Sequence, residues 1–209
     1  MPRPPGARNH DFDTKRAALL DALTEFGINA ALSRPSLRQF ALAVGQSEPT
    51  IRHYFGDRQG LVIEIIINLG QRAQAIWDIV AEPSVDAATA VKEYLDLTLN
   101  GMTEGRFTRV HAFGLIEGFA DDVVGKVYLE AMLEPSLKAF SDKLRNTPGA
   151  PRDEAELRAA TLAATAPLFV VGVHQELLGG KTSMPIDMAR TFAFLQKWLS
   201  PAFESQSAL

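Results

Sequence analysis

Apolar residues recur at three- and four-residue intervals along nearly the whole chain. Leu19, Leu23 and Phe26 fall on one helical face, as do Val62, Ile65, Ile66 and Leu69, then Val91, Leu95 and Leu99, and finally Met188, Phe192, Leu195 and Leu199. This is the spacing of amphipathic helices, and no stretch shows the strict alternation of a half-buried strand. Short polar residues that can accept a bond from first-turn amides stand at Asp13, Ser36, Ser47, Asp57, Ser84, Asp121, Asp153 and Ser183, and each predicts a helix start. Stops come from Gly45, Gly56, Pro83, the Gly149 to Pro151 turn, Gly179-Gly180 and Pro201. With one more helix near Gly105 to Phe119, the pattern predicts an all-α fold of about nine helices. One long helix is expected from Asp57 to the Glu82-Pro83 stop.

The segment Ser36 to Phe55, SLRQFALAVGQSEPTIRHYF, reads as two short helices joined by a tight turn. Ser36 and Gln39 have the spacing of a capping box. Leu37, Phe40, Ala41 and Val44 give an inward face, Gly45 allows the bend, and Ser47 starts the second helix. Pro49 is tolerable in the first turn, where amides have no intrahelical partner. Ile51 and Phe55 point inward onto a supporting helix from Asp13 onward. Glu48, Pro49, Thr50, Arg52, His53 and Tyr54 are left facing a partner, a set suited to a DNA groove and its flanking phosphates.

At these residues the chain resembles the TetR family of transcriptional regulators. The resemblance is carried by Ser36, Phe40-Ala41, Gly45-Gln46-Ser47, Pro49-Thr50-Ile51, His53-Tyr54-Phe55, Asp57-Arg58 and Leu61, with Arg16, Leu19-Leu20 and Ala22 upstream. It covers roughly residues 13 to 65. The chain departs from the family pattern at Gly27 and Arg52, where aromatics are usual, at Ala31, where a glycine is usual, and at Pro35. The resemblance implies base contacts from Arg38, Glu48 and Pro49, with Glu48 accepting from a cytosine amino group. It implies phosphate contacts from Thr50, Arg52, His53, Tyr54 and Arg58. It also implies three parts: a flexible basic arm over 1–12, with Arg3 and Arg8, that could touch an adjacent groove; a helix-turn-helix domain over 13–56; and a ligand-binding and dimerising body over 57–209. A repressor released from a near-palindromic operator by a small molecule is the corresponding expectation.

Large apolar residues with a few polar ones among them make a candidate effector set: Trp77, Tyr94, Met102, Phe107, His111, Phe113, Glu117, Tyr128, Met132, Phe169 and His174. Ordinary helical cores need the same residues. The helices expected at about Asp153 to Leu178 and Ile186 to Leu199 are apolar around much of their circumference, which suits either a buried bundle helix or a homodimer face. Pro167 should kink the first of them.

Composition narrows the picture further. The chain has 209 residues, 21 basic against 25 acidic, a net charge of −4 and no cysteine, which excludes disulfides, thiolate metal sites and cysteine nucleophiles. Residues 1–60 carry eight basic and six acidic side chains, a net +2, and the rest carries −6. This is a mildly basic head on an acidic body. No apolar run approaches the roughly 20 residues needed to cross a bilayer, so a cytoplasmic protein without a membrane partner is expected. His111, Glu117, Asp121, Asp122, His174 and Glu176 match no spacing known for metal or nucleophilic catalysis, and neither an enzyme nor a cofactor is expected. The alternative to a regulator is a helical small-molecule-binding protein of the same fold without sequence-specific DNA recognition.

Overall fold

The computed structural model describes residues 7–103 and 105–204, with side chains described over 12–102 and 105–199. It is all-α, with helix over 83% of the chain and no strand among the described residues. In chain order the helices are α1 (Ala7–Asn29), α2 (Leu37–Ala43), α3 (Glu48–Phe55), α4 (Arg58–Ala81), α5 (Ala87–Thr103), α6 (Arg106–Ala120), α7 (Asp122–Tyr128), α8 (Glu134–Arg145), α9 (Glu154–Gly172), α10 (Gly180–Ser183) and α11 (Met188–Glu204). A 3₁₀ turn spans Ala31–Ser33, and π-helical turns Leu129–Leu133 and Val173–Leu177 continue α7 and α9.

Five expected starts are capped as the sequence predicts, at Ser36, Ser47, Asp57, Asp121 and Asp153. Three are not. α1 begins at Ala7 rather than after Asp13, so residues 7–12 of the expected flexible arm are helical; Pro2 and Arg3 lie outside the described residues. α5 is capped by Asp86, which accepts from the Thr89 amide at 2.7 Å. Ser84 instead donates its amide to Thr147 Oγ1 at 3.0 Å and its hydroxyl to Glu93. α11 is capped by Asp187, through the Arg190 amide at 3.1 Å, and not by Ser183. In both late cases an aspartate closer to the apolar run wins the cap.

The chain divides into two compact units, Met1–Arg72 with Arg109–Met132, and Ala73–Thr108 with Leu133–Leu209. The first therefore contains α6 and α7 residues that the sequence reading assigned to the body. Its core is Leu23, Ile28, Leu37, Phe40, Ile51, Leu61, Ile65, Ile66 and Phe113, all nearly or fully buried. Each stabilises the fold by about 1.5–3 kcal/mol through lost contact with water. Glycines set the close approaches within it. A β-carbon on Gly27 would lie 3.3 Å from Phe113 Cε2 and 3.4 Å from Phe40 Cε1, so the missing side chain makes room for two rings. The Tyr128 ring lies directly on Gly114, and a β-carbon on Gly118 would come 2.9 Å from Gly125 Cα.

The core of the second unit is built from Val91, Tyr94, Leu95, Phe140, Leu144, Leu157, Leu168 and Phe192, with α11 packed along α5. Tyr94 stacks on Phe140 at 4.0 Å and its hydroxyl lies 3.2 Å from Thr165 Oγ1. Lys143 is only 4% exposed, and its ammonium donates to the Glu82 carbonyl at 2.8 Å and the Glu93 carboxylate at 2.7 Å. That bond, with one from Ser84, holds the Glu93 carboxyl below the usual carboxylate range. Helix α9 passes through Pro167 without interruption. Together with its π turn, Glu154–Leu177 is long and apolar enough by length and composition to cross a membrane, with a mean hydropathy of 1.4 and 39% of that window buried. Only the part between Arg158 and Glu176 is free of Asp, Glu, Lys and Arg, with Ala, Thr and Gly filling much of it, and a core helix of a helical bundle meets the same criterion.

Gly114→Ala must displace the Tyr128 ring, and the overpacking should cost about 1–3 kcal/mol in urea unfolding. Gly101→Ala, on an exposed helical position with nothing within 4 Å, should be neutral or stabilise by up to about 1 kcal/mol.

Candidate nucleic-acid interface

The α2–α3 unit is assembled from local interactions. Ser36 Oγ accepts from the Gln39 amide at 3.3 Å while Gln39 Oε1 accepts from the Ser36 amide at 2.8 Å, completing the capping box. Gly45 has φ +65° with open space around it, so the turn requires its backbone freedom and not its small size. Ser47 Oγ accepts from the Thr50 amide at 3.2 Å, and its hydroxyl shares a 2.8 Å bond with that of Thr50. Ile51 and Phe55 are buried, anchoring α3. Arg38, Pro49, Arg52 and His53 are exposed, and Glu48, Thr50 and Tyr54 are half-buried.

Two contacts the sequence did not suggest stiffen this surface. Phe12 lies 4.9 Å from the Tyr54 ring and 5.8 Å from His53, edge-on to the latter, so α1 supports the end of α3. The Arg16 guanidinium sits 5.1 Å over the Phe55 ring and pairs with Glu64 at 2.8 Å. On the outer face of α3, Glu48 Oε1 accepts from both Nε and Nη2 of Arg52, at 3.2 and 2.8 Å.

Arg58 does not stand free for a phosphate. Its Nη1 and Nη2 form a fork on Glu117, at 2.9 and 2.6 Å, and its Nε donates to the Pro35 carbonyl at 2.8 Å. Arg34 adds bonds to Glu117 Oε2 at 3.3 and 3.4 Å. The Glu117 side chain is 1% exposed, against 29% for Arg58 and 44% for Arg34. Arg34 is the one non-glycine residue with positive φ, +47°, among the described residues, a left-handed backbone that costs roughly 1–2 kcal/mol. The pair with Glu117 offsets that cost. Phe113 fills the space above Gly27, and Glu117 organises the 3₁₀ turn and Pro35 through the two arginines.

This corrects three expectations. Arg58 has its three guanidinium nitrogens engaged within the unit, Glu117 is a structural carboxylate, and Phe113 is core at 0% exposure. None of the three is available as the sequence reading supposed, because residue chemistry alone does not tell which buried partner a group will meet.

The rest of the effector set falls into two groups, one in each unit. In the first, His111 Nδ1 lies 2.8 Å from the Tyr128 hydroxyl. Burial pushes the imidazole down to about 4 and the phenol up. Met132 is buried near Gly70. In the second, Trp77 packs half-buried on the core, Phe107 meets Phe169 edge-on at 5.9 Å, and Met102 reaches Gly172. His174 bonds Gln175 at 2.6 Å and presses on Gly180. The Thr108 hydroxyl, beside Met102 and Gly172, is buried with no partner among the described residues. A cleft of about 310 Å³ in the first unit is lined by Asp13, Arg16, Leu20, Asp21, Glu64 and Asn68, too polar for an apolar molecule.

No protein-family model, curated protein or solved structure matches this chain.

Arg58→Met should leave Glu117 buried with only the longer Arg34 contacts, lowering stability in urea by about 3 kcal/mol. Arg58→Lys should recover part of that, since a point charge cannot reproduce the fork. A fully stable Arg58→Met would refute the structural role. For His111, the unfolded state binds a proton below about 6.5 while the folded state resists until about 4. Stability should therefore fall as pH drops through that window, by about 3 kcal/mol in all. His111→Gln should flatten the dependence by about one proton in pH-resolved unfolding.

Proposed function

We propose that this chain is a ligand-responsive transcriptional regulator of the TetR type. It binds a near-palindromic DNA operator as a cytoplasmic homodimer and represses transcription until a small, mainly apolar molecule releases it. The observation that carries the reading is the α2–α3 unit. A helix fixed by a serine cap, a glycine turn and two buried anchors presents Pro49, Thr50, Arg52, His53 and Tyr54 to one side, with Arg38 exposed on the preceding helix. Buried anchors behind and donors in front are what docking into a major groove requires.

Dimerisation is supported by the outer faces of the last two long helices. On α9, Leu162 is 53% and Val170 68% exposed, and on α11, Phe194 is 59% and Trp198 73% exposed with their rings 5.7 Å apart. Phe192, on the other side of α11, is buried in the core of its own unit. Two-fold symmetry would bring two reading helices to half-sites about one DNA turn apart. For the effector, the support is the partly buried Phe107 and Phe169 rings, the Thr108 hydroxyl beside Gly172 with no partner among the described residues, and the partly buried Trp77 on the same unit's core. Release then requires the ligand to favour one spacing of the two reading helices over another.

Selection of bound duplexes from random DNA with the purified protein should return a two-fold symmetric consensus; binding indifferent to sequence and lost uniformly with salt would favour a binding protein that only shares the fold. Val170→Lys with Trp198→Lys should convert a dimer to a monomer in light scattering at micromolar concentration, and an unaltered dimer would rule out this face.

A further inference from the structure

We infer that Glu48 and Arg52 act as one unit that reads a guanine, with Arg52 making the base contact and Glu48 positioning it. The inference rests on the DNA-binding reading above, and it reassigns both residues from a separate cytosine acceptor and a separate phosphate donor.

The geometry of the pair selects this role. Both bonds from Arg52 go to the same oxygen, Glu48 Oε1, one from Nε at 3.2 Å and one from Nη2 at 2.8 Å. A guanidinium held along its Nε–Nη2 edge is fixed in rotation, and its remaining edge, Nη1 and the outer N–H of Nη2, points away from the carboxylate. Two parallel N–H groups on that edge match O6 and N7 of guanine in the major groove, the commonest specific arginine contact. The carboxylate makes the choice sharper. An unpaired Glu48 would face the phosphates as a bare negative charge, whereas the pair is neutral overall and can enter the groove without that repulsion.

The pair is accessible to a partner. Its side chains are 34% and 55% exposed, one turn apart on a stripe of α3 that borders the buried Ile51 and Phe55. The neighbouring Pro49 is exposed and has no amide to compete for the carboxylate. Folding does not require the pair, because an exposed bridge four residues apart contributes little to stability. Behind it the backbone of α3 is rigid through the Ser47 cap, so the fork has a fixed origin.

The test uses the full-length protein and compares selection from random duplexes for wild type, Glu48→Gln and Arg52→Lys. Wild type should select a G·C pair at one symmetric position of each half-site, with about 10-fold or greater loss on its replacement. Arg52→Lys should lose most of that preference while the slope of affinity against salt stays near the wild-type value, since the charge is retained. Glu48→Gln should weaken selectivity at the same pair, even though removing a negative charge tightens binding to unrelated DNA. Placing 7-deazaguanine, which lacks N7, at that position should weaken wild type about 10-fold and Arg52→Lys hardly at all. The proposal is overturned if Arg52→Lys keeps the full consensus, as a phosphate contact would, or if the two variants relax different base pairs. A wild-type protein that selects no symmetric consensus would instead remove the DNA-binding reading, and this proposal with it.

Discussion

A carboxylate buried inside a helical bundle must find donors for both of its oxygens, and Glu117 meets that demand with two arginines from sequence-distant places. Arg58 stands at the first position of α4 and Arg34 just before Pro35. The fork on Arg58 fixes where α4 begins, and its Nε bond to the Pro35 carbonyl fixes where the chain enters α2. The two ends of the α2–α3 unit are thereby tied to one point on α6. The cost of removing one partner from such a buried pair, about 3–5 kcal/mol in other proteins, is a large part of the stability of a small unit. The left-handed backbone at Arg34 is tolerated for the same reason.

Around this electrostatic point the packing is set by missing side chains. Gly27 gives way to Phe113 and Phe40, Gly114 to the ring of Tyr128, and Gly118 to the backbone at Gly125. Gly114 and Gly118 lie on α6 one turn apart, and Phe113 lies on it too, so this helix is approached closely by both α1 and α7. Two of its buried polar groups, His111 and Glu117, are each bonded to a neighbour within the first unit. The helix that the sequence suggested as a wall of a binding cavity acts instead as an internal support of the α2–α3 unit.

What could be read from the sequence follows the range of the interactions. The α2–α3 unit, with its caps at Ser36 and Ser47, its turn at Gly45 and its anchors Ile51 and Phe55, depends on contacts within a few residues, and all of these features are present. The long helix Arg58–Ala81 follows equally from periodicity and a proline stop. Arg58, Phe113 and Glu117 were misassigned because their partners are remote in sequence, and nothing local to Glu117 announces Arg34. On α11 the periodic face Met188, Phe192, Leu195 and Leu199 packs on the core of its own unit, and Phe194 and Trp198 are exposed instead; at 100° per residue, two positions separate opposite faces. The Ser84 and Ser183 starts failed because Asp86 and Asp187 are equally good caps nearer the helix. The pairing of Glu48 with Arg52 was open to a reading of i,i+4 charges, and it changes what each residue can do.

The first unit is discontinuous along the chain, since Arg109–Met132 completes what Met1–Arg72 begins. A growing polypeptide therefore exposes α1 to α4 well before their last supporting helices exist, for some seconds at roughly 5–20 residues per second. During that interval Leu23, Phe40, Ile65 and their neighbours lack the cover of Phe113, and Arg58 has no carboxylate to grip. Order of synthesis thus withholds the completed first unit until α6 and α7 have been made. A nascent or truncated chain that stops short of α6 carries the recognisable two-helix sequence without the support that fixes its ends.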